Sequence, residues 1–244
     1  MRVWNALGVA CPSLTAALSL PEGAVTLVGG GGKSTLLHAL AWEWVQAGET
    51  AALTSTTHIR PHPRLPVLPR LREPLSSACP AAVVGSLSPE GRLTLDQPFA
   101  SLLPLAGRVV NEGDGSRGLP CKAPADHEPV IPPESGTVIA VFGLSALGRP
   151  IARACHRPER VCALLGRPPE HRLTPGDLAL LAAHPLGLHK GLPPGAAFRC
   201  VLNQGDTPEL RQLGLEAART LTEEGVLCVL TQFDEEERGG LCWF

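Results

Sequence analysis

Residues 24–48 read AVTLVGGGGKSTLLHALAWEWVQAG. Ala24–Val28 is an apolar run of strand length. Ser34–Ala47 places Leu37, Leu40 and Trp44 on one helical face, and Gly48 stops that helix. Between them lies GGGGKST, Gly29–Thr35. A glycine turn from strand to helix is the context that phosphate binding requires. Glycine admits positive φ, so successive N–H groups turn inward as an anion nest, and the helix N-terminus adds its positive dipole end. In this reading Gly29, Gly30, Gly31, Gly32, Lys33, Ser34 and Thr35 bind a nucleotide. Lys33 reaches the β/γ-phosphates and the Ser34 hydroxyl ligates Mg²⁺. The match to G-x-x-x-x-G-K-[ST] is incomplete, because its first Gly falls on Leu27. The Rossmann fingerprint fits less well, since its last Gly or Ala falls on Ser34 and a Lys has no role in that turn. A tight turn that uses Gly for conformational reasons alone is the plainer alternative.

Outward from this turn, short apolar runs alternate with helical stretches. Thr50–Thr54, Ala81–Val84, Arg108–Asn111, Thr137–Phe142, Phe198–Leu202 and Val226–Leu230 all read as strands. They alternate little, which suits burial on both faces. The fold class is therefore α/β, P-loop NTPase-like, a mostly parallel sheet with helices on both faces. Residues 1–244 read as one such domain, with a Pro/Gly-broken, helix-rich stretch at about 144–197. From His58 to Pro74 the chain carries five prolines with Arg60, Arg64, Arg70 and Arg72. It cannot be a helix. It is a solvated loop or a basic flap over an anionic site. The acidic run Asp234–Glu237 reads as a solvated turn.

Composition sets the outer bounds. The chain has 244 residues, is 44% hydrophobic and 18% charged, and so can bury a sizeable core. A formal net charge of −2 argues against a nucleic-acid binder that works through a basic field. No apolar run approaches the length of a membrane span. The N-terminus lacks an apolar targeting core, and a cytoplasmic protein is expected. Eight cysteines are scattered without C-x-x-C spacing. They read as reduced structural residues, and zinc-ligand spacing is absent.

Further candidate residues fall at strand ends. Arg108–Gly118 reads RVVNEGDGSRG, an apolar strand that runs into Glu112 and Asp114. A carboxylate at a strand tip beside a phosphate loop holds the Mg²⁺ shell or orients the attacking water. Glu112 and Asp114 join Ser34 as candidate metal ligands, and with Lys33 and Arg117 they form the candidate catalytic set. A simple Asp-Gly turn is the alternative. Lys122, His127 and Glu128 follow in a polar loop suited to an anionic substrate. His156 and Arg157 are further substrate candidates, in a stretch read as helical, with a surface ion pair as the alternative for Arg157. The strand end NQGD offers Asn203 and Asp206 for a nucleobase, with Asp accepting guanine N–H bonds. Asp206 also suits the start of a helix at Thr207-Pro208. Thr54–His58 (TSTTH) offers hydroxyls for phosphate or Mg²⁺, or merely strand propensity.

GGGGKST, TSTTHI, VNEGDGSRGLPCKAPADHEPVIP, GLSALGRP, HRPE, GLHKGLP and VLNQGD occur in this order. Together they resemble the YqeC family, from about Val25 to Asp206, with Glu112–Pro132 the most specific part. Against the G-x-G-G-K-T-T of that family, Gly31 stands at a tolerant position and Ser34 keeps the hydroxyl of the first Thr. The Pro-rich 61–74 stretch and Gln204 are less typical. The resemblance implies a P-loop nucleotide-binding fold, with ATP or GTP and Mg²⁺ as cofactors. It also implies a place beside molybdenum hydroxylases that carry labile selenium, with the molybdenum cofactor or a maturation partner as the other contact. No membrane or nucleic-acid partner is expected.

Several functions fit these residues. One is an accessory factor that uses NTP hydrolysis to make or insert a selenium-containing molybdenum cofactor. A second is a small-molecule kinase with Asp114 as base. A third is a metal-insertion GTPase, which wants a Cys- or His-rich tract that is missing. A fourth is a non-hydrolysing scaffold. Cys121 beside Lys122 has two readings: a thiol of lowered pKa that carries selenium, or a structural cysteine.

Overall fold

The computed structural model describes residues 1–238, so Cys242 lies outside the described residues. All seven apolar runs become strands of one sheet. In chain order its strands are β1 (Arg2–Asn5), β2 (Ala10–Cys11), β3 (Gly23–Gly29), β4 (Ala51–Ser55), β5 (Val67–Leu68), β6 (Ala81–Val84), β7 (Arg108–Glu112), β8 (Ser135–Gly143), β9 (Ala197–Asn203) and β10 (Leu227–Gln232). The spatial order of these ten strands is β2-β1-β10-β9-β8-β3-β7-β4-β6-β5. Every neighbour pair from β10 to β5 is parallel. Only β1 and β2 run antiparallel, at one edge.

The longer helices are α1 (Lys33–Gln46), α2 (Pro158–Leu165), α3 (Pro175–Ala183) and α4 (Pro208–Glu223). They cover both faces, which explains the apolar strands. In β8, Val138, Ala140 and Phe142 join one core with Ala217, Ala218 and Leu221 of α4. Ile139 and Val141 join the opposite core with Leu36, Leu37, Leu40 and Trp44 of α1. The period-two alternation of a strand thus feeds two separate helical layers. Residues 144–197 hold α2, α3 and a short helix at Ile151–Ala154. Among the described residues no helix is long and apolar enough to cross a membrane.

Helix starts follow local chemistry. Thr207 accepts from Leu210 N–H with Pro208 at the first turn, as the sequence suggests. Thr174 and Asp177 form a reciprocal capping box on α3. By contrast α1 begins at Gly32, at φ +120°, with no side-chain cap. Its first N–H groups are left for another acceptor.

Three elements depart from the sequence reading. The edge hairpin of β1 and β2 was not legible, because its strands are short and half exposed. Within the proline-rich stretch, Val67–Leu68 joins the sheet edge beside β6. The prolines permit this, because Pro66 contributes only its carbonyl, to Val83 N–H at 2.9 Å. Finally, Glu235–Arg238 is a short helix and not a turn. Asp234 and Glu237 cap one another's N–H groups at 2.9 and 3.0 Å, and Glu237 also meets the N-terminal amine of Met1.

Trp44 is 1% exposed, and its indole N–H has no hydrogen-bond partner among the described residues. Trp44→Ala is expected to cost about 3–5 kcal/mol through the cavity it leaves. Trp44→Phe is expected to cost less than about 1.5 kcal/mol, because it also removes an unsatisfied donor. Urea denaturation of the two variants checks the difference.

Candidate functional site

The carboxyl ends of β3, β7, β8 and β9 converge on the Gly29–Gly32 turn. β3 is central, with β7 and β8 as neighbours, so the turn is packed from both sides. A Cβ on Gly31 would overlap the backbone of Gly143 at the end of β8, and Gly31 sits at φ +80°. Gly31 is therefore not a tolerant position in this chain. A Cβ on Gly32 would meet the Asn203 amide.

The turn is not an open nest. Gly30 N–H donates to Val141 O at 2.8 Å and Gly31 N–H to Leu119 O at 3.1 Å. Gly29 N–H is taken by both Asp114 oxygens, at 3.0 and 3.1 Å. The expectation that these three donors face an anion is thereby corrected: the neighbouring strand at Val141 and the loop carrying Asp114 and Leu119 already hold them. Among the described residues no protein group accepts the N–H of Gly32, Lys33, Ser34 or Thr35. Among the described residues, the donors without a protein acceptor are thus those of the first turn of α1.

Lys33 is 3% exposed. Its ammonium donates to Gly29 O at 2.6 Å and lies 3.3 Å from Asp114 and 3.6 Å from Glu112. Burial opposes its charge, but Asp114 and Glu112 outweigh burial and hold its pKa above the ordinary lysine value. Ser34 Oγ donates to Glu112 Oε2 at 2.9 Å. Burial pushes the Glu112 carboxyl up, against the pull of Lys33 and Ser34. This hydroxyl–carboxylate pair lines a cavity of about 730 Å³ that also reaches Arg117.

Asp114 is buried completely and does not line that cavity. It stands between Lys33 and Lys122, whose ammonium is 2.9 Å from Asp114 Oδ2. Lys122, itself fully buried, also donates to Glu128 Oε2 at 2.7 Å and to Gly115 O at 2.8 Å. Glu128 accepts a bidentate fork from Arg157 at 2.7 and 3.1 Å. Burial tends to raise the Glu128 pKa, but the bonds from Lys122 and Arg157 bring it down to about 2. Lys190 closes the same loop by donating to three backbone carbonyls, of Ala125, Asp126 and Glu128. Lys122, Glu128 and Arg157 are thus brought together as one ion network behind the phosphate loop. His127 is exposed and outside the cavity. His156 is not helical; it pairs in register with Lys122 on a two-residue parallel strand. Arg157 follows in the left-handed region at φ +59° and starts α2.

Asn203 Nδ2 donates to Gly31 O at 2.8 Å, and its Oδ1 accepts from Thr231 at 2.9 Å. It props the turn. Asp206 lines a small pocket of about 160 Å³ with Asn203, Gly32 and Thr35. The TSTTH hydroxyls are spent on the strand ends: Ser55 donates to Glu112 O and Thr56 to Val130 O. Of the two readings of Cys121, the structure favours the structural one: the neighbouring Cys155 and burial push the thiol up rather than down. The neighbouring Lys122 is occupied by Asp114 and Glu128.

The cavity gathers residues that sequence reasoning passed over. His38 was within reach, since it lies one turn after Ser34 on the same face of α1. His58 and His62 lie in the stretch read as a loop or basic flap, whereas Arg92 gave no local signal; tertiary folding carries all three there. Of the basic stretch, His58–Pro63 lines the cavity, whereas Arg70 pairs with Asp96 at the surface, 3.6 Å away. His38 and His62 meet edge to face, 4.7 Å between ring centroids. Burial and the second imidazole drop the His38 pKa to about 3, so its ring stays neutral.

A family model described as YqeC protein matches residues 25–159. The chain belongs to the YqeC family. It is 34% identical over 188 residues to the Escherichia coli (strain K12) protein titled "Uncharacterized protein YqeC", covering 70% of this chain and 72% of that relative. No solved structure matches. The family match takes in the phosphate loop, Glu112, Asp114, Lys122, Glu128 and Arg157, and so spans the whole buried ion network of this YqeC-family chain.

Two outcomes are expected from this network. Lys122→Met strands Asp114 and Glu128 without their cation and is expected to destabilise by about 3–5 kcal/mol. Adding Asp114→Asn should recover part of that loss, as a double-mutant cycle in denaturant would measure. Glu128 has its pKa depressed in the folded state. Its contribution is therefore complete above the ordinary glutamate value of 4.5 and is lost as pH falls toward about 2. The melting-temperature gap between wild type and Glu128→Gln should accordingly narrow between pH 6 and about pH 3.

Proposed function

We propose that the protein is a Mg²⁺-dependent nucleotide-binding accessory factor, with ATP or GTP as its nucleotide. In this reading NTP hydrolysis drives a hand-over step in the maturation of selenium-dependent molybdenum hydroxylases. The observation that carries nucleotide binding is the uncapped first turn of α1. Four N–H groups without a protein acceptor stand beside a buried Lys33 cation and a Ser34–Glu112 pair. A helix start with these neighbours suits a polyphosphate, and a hydroxyl hydrogen-bonded to a carboxylate suits Mg²⁺. The glycine cradle fits too, because a Cβ on Gly30, Gly31 or Gly32 would fill the space against which the turn is packed.

Each residue then has a defined task. The N–H groups of Gly32–Thr35 hold the phosphate chain. Lys33, held as a cation by Asp114 and Glu112, spreads its charge over the terminal phosphates. Ser34 and Glu112 would hold Mg²⁺, which when bound neutralises phosphate charge. Asp114 keeps Gly29 and Lys33 in place and is a positioning residue. Arg117 faces the cavity, where a guanidinium stabilises charge that develops on transfer. Asp206 and Asn203 line the pocket on the far side of the turn, where a base would lie. The molybdenum and selenium pathway rests on the family resemblance alone.

Thermal melting of the metal-free protein with ATP, GTP and their diphosphates, with and without Mg²⁺, tests this reading. A nucleotide at ~100 times its Kd should stabilise by about 2.7 kcal/mol. Lys33→Ala should abolish that shift, and Ser34→Ala should remove its Mg²⁺-dependent part. No shift with any nucleotide would overturn the reading.

A further inference from the structure

The phosphate loop stands between two unequal spaces. On one side is the pocket of about 160 Å³ beside Asp206. On the other is the cavity of about 730 Å³, and Gly32, Thr35 and Gln204 line both. At ~30 Å³ per water, the larger space has room for about two dozen water-sized groups. That is more than a phosphate tail fills. The rest of its lining comes from other parts of the chain and is basic. Arg60, Arg92 and Arg117 line it, and Glu112 at the loop is the one carboxylate among its lining residues. None of the three guanidiniums enters a salt bridge or side-chain hydrogen bond among the described residues. The exposed Glu90 acts on Arg92 only through its charge. Guanidinium forks suit tetrahedral oxyanions, and three of them exceed what one monoanion needs.

His58 adds a second requirement. Thr94 donates its hydroxyl proton to Thr57 O at 2.6 Å. Its Oγ1 must therefore accept from His58 Nδ1, 2.7 Å away. That bond places a proton on Nδ1 and leaves Nε2 as the ring nitrogen available to a ligand. A ring nitrogen on the lining of the same cavity as three guanidiniums suits a ligand that carries a hydroxyl as well as an anion.

We infer that this cavity binds a second ligand beside the nucleotide: a small hydroxylated phosphate monoester, held by Arg60, Arg92 and Arg117 with its hydroxyl at His58. The inference builds on the nucleotide reading of the same loop.

The test titrates ribose 5-phosphate, glucose 6-phosphate and glycerol 3-phosphate into the full chain by calorimetry, with Mg²⁺ and a saturating non-hydrolysable triphosphate. At least one should bind, and more tightly than inorganic phosphate. The double variant Arg60→Glu, Arg92→Glu should weaken that binding at least tenfold. Its nucleotide affinity and melting temperature should stay within twofold and about 2 °C of wild type. Failure of all three esters overturns the inference, as do equal binding by the variant, displacement by the triphosphate, or inorganic phosphate binding as tightly. If the triphosphate does not bind, the esters are titrated alone. Arginine-dependent binding then upholds the anion site while the nucleotide reading falls. Nucleotide binding without ester binding sinks the anion site only.

Discussion

The carboxylate of Asp114, clamped between the Gly29 N–H and two buried ammonium groups, is the constraint on which the site depends. A fully buried charge is costly unless it is paired and hydrogen-bonded. Here Lys33 and Lys122 flank it at 3.3 and 2.9 Å, and a backbone N–H completes its shell. The arrangement ties three separate segments together: the glycine turn, the strand end at Glu112, and the polar loop that carries Lys122. Removing a member leaves its partners short of counter-charge in the interior. The glycine turn therefore takes its shape from a network behind it as well as from its own glycines.

That network also divides the labour between two carboxylates only two residues apart. Glu112 ends its strand facing the cavity, bonded to the Ser34 hydroxyl. Asp114 lies past the strand end and turns inward. The chain leaves β7 at Glu112, so strand periodicity no longer governs Asp114. One carboxylate faces the cavity, the other faces two buried ammonium groups.

The glycine turn shows the same economy. The N–H groups of Gly30 and Gly31 are used to bind neighbouring backbone, and Gly31 lies against Gly143 too closely for any side chain. The close packing is what demands glycine there. What remains without a protein acceptor among the described residues is the start of α1, which lacks a side-chain cap. On the cavity side the proline-rich segment supplies a wall without needing backbone donors, since its prolines have none to satisfy.

Sequence alone determined the strand–turn–helix at residues 24–48 and the seven parallel strands, because continuous apolar runs bounded by turn residues have few other places to go. It also pointed to Lys33, Ser34, Glu112 and the 117–128 loop, since residue type and strand-end position carry that information locally. It could not tell which carboxylate faces inward or that both Lys33 and Lys122 are buried. It could not show that Cys121 meets Cys155 rather than an activating cation. Nor could it reveal that His58, His62 and Arg92 share a cavity with the phosphate loop. Those facts depend on which strands lie side by side and on how the chain leaves them, and only the tertiary fold fixes both.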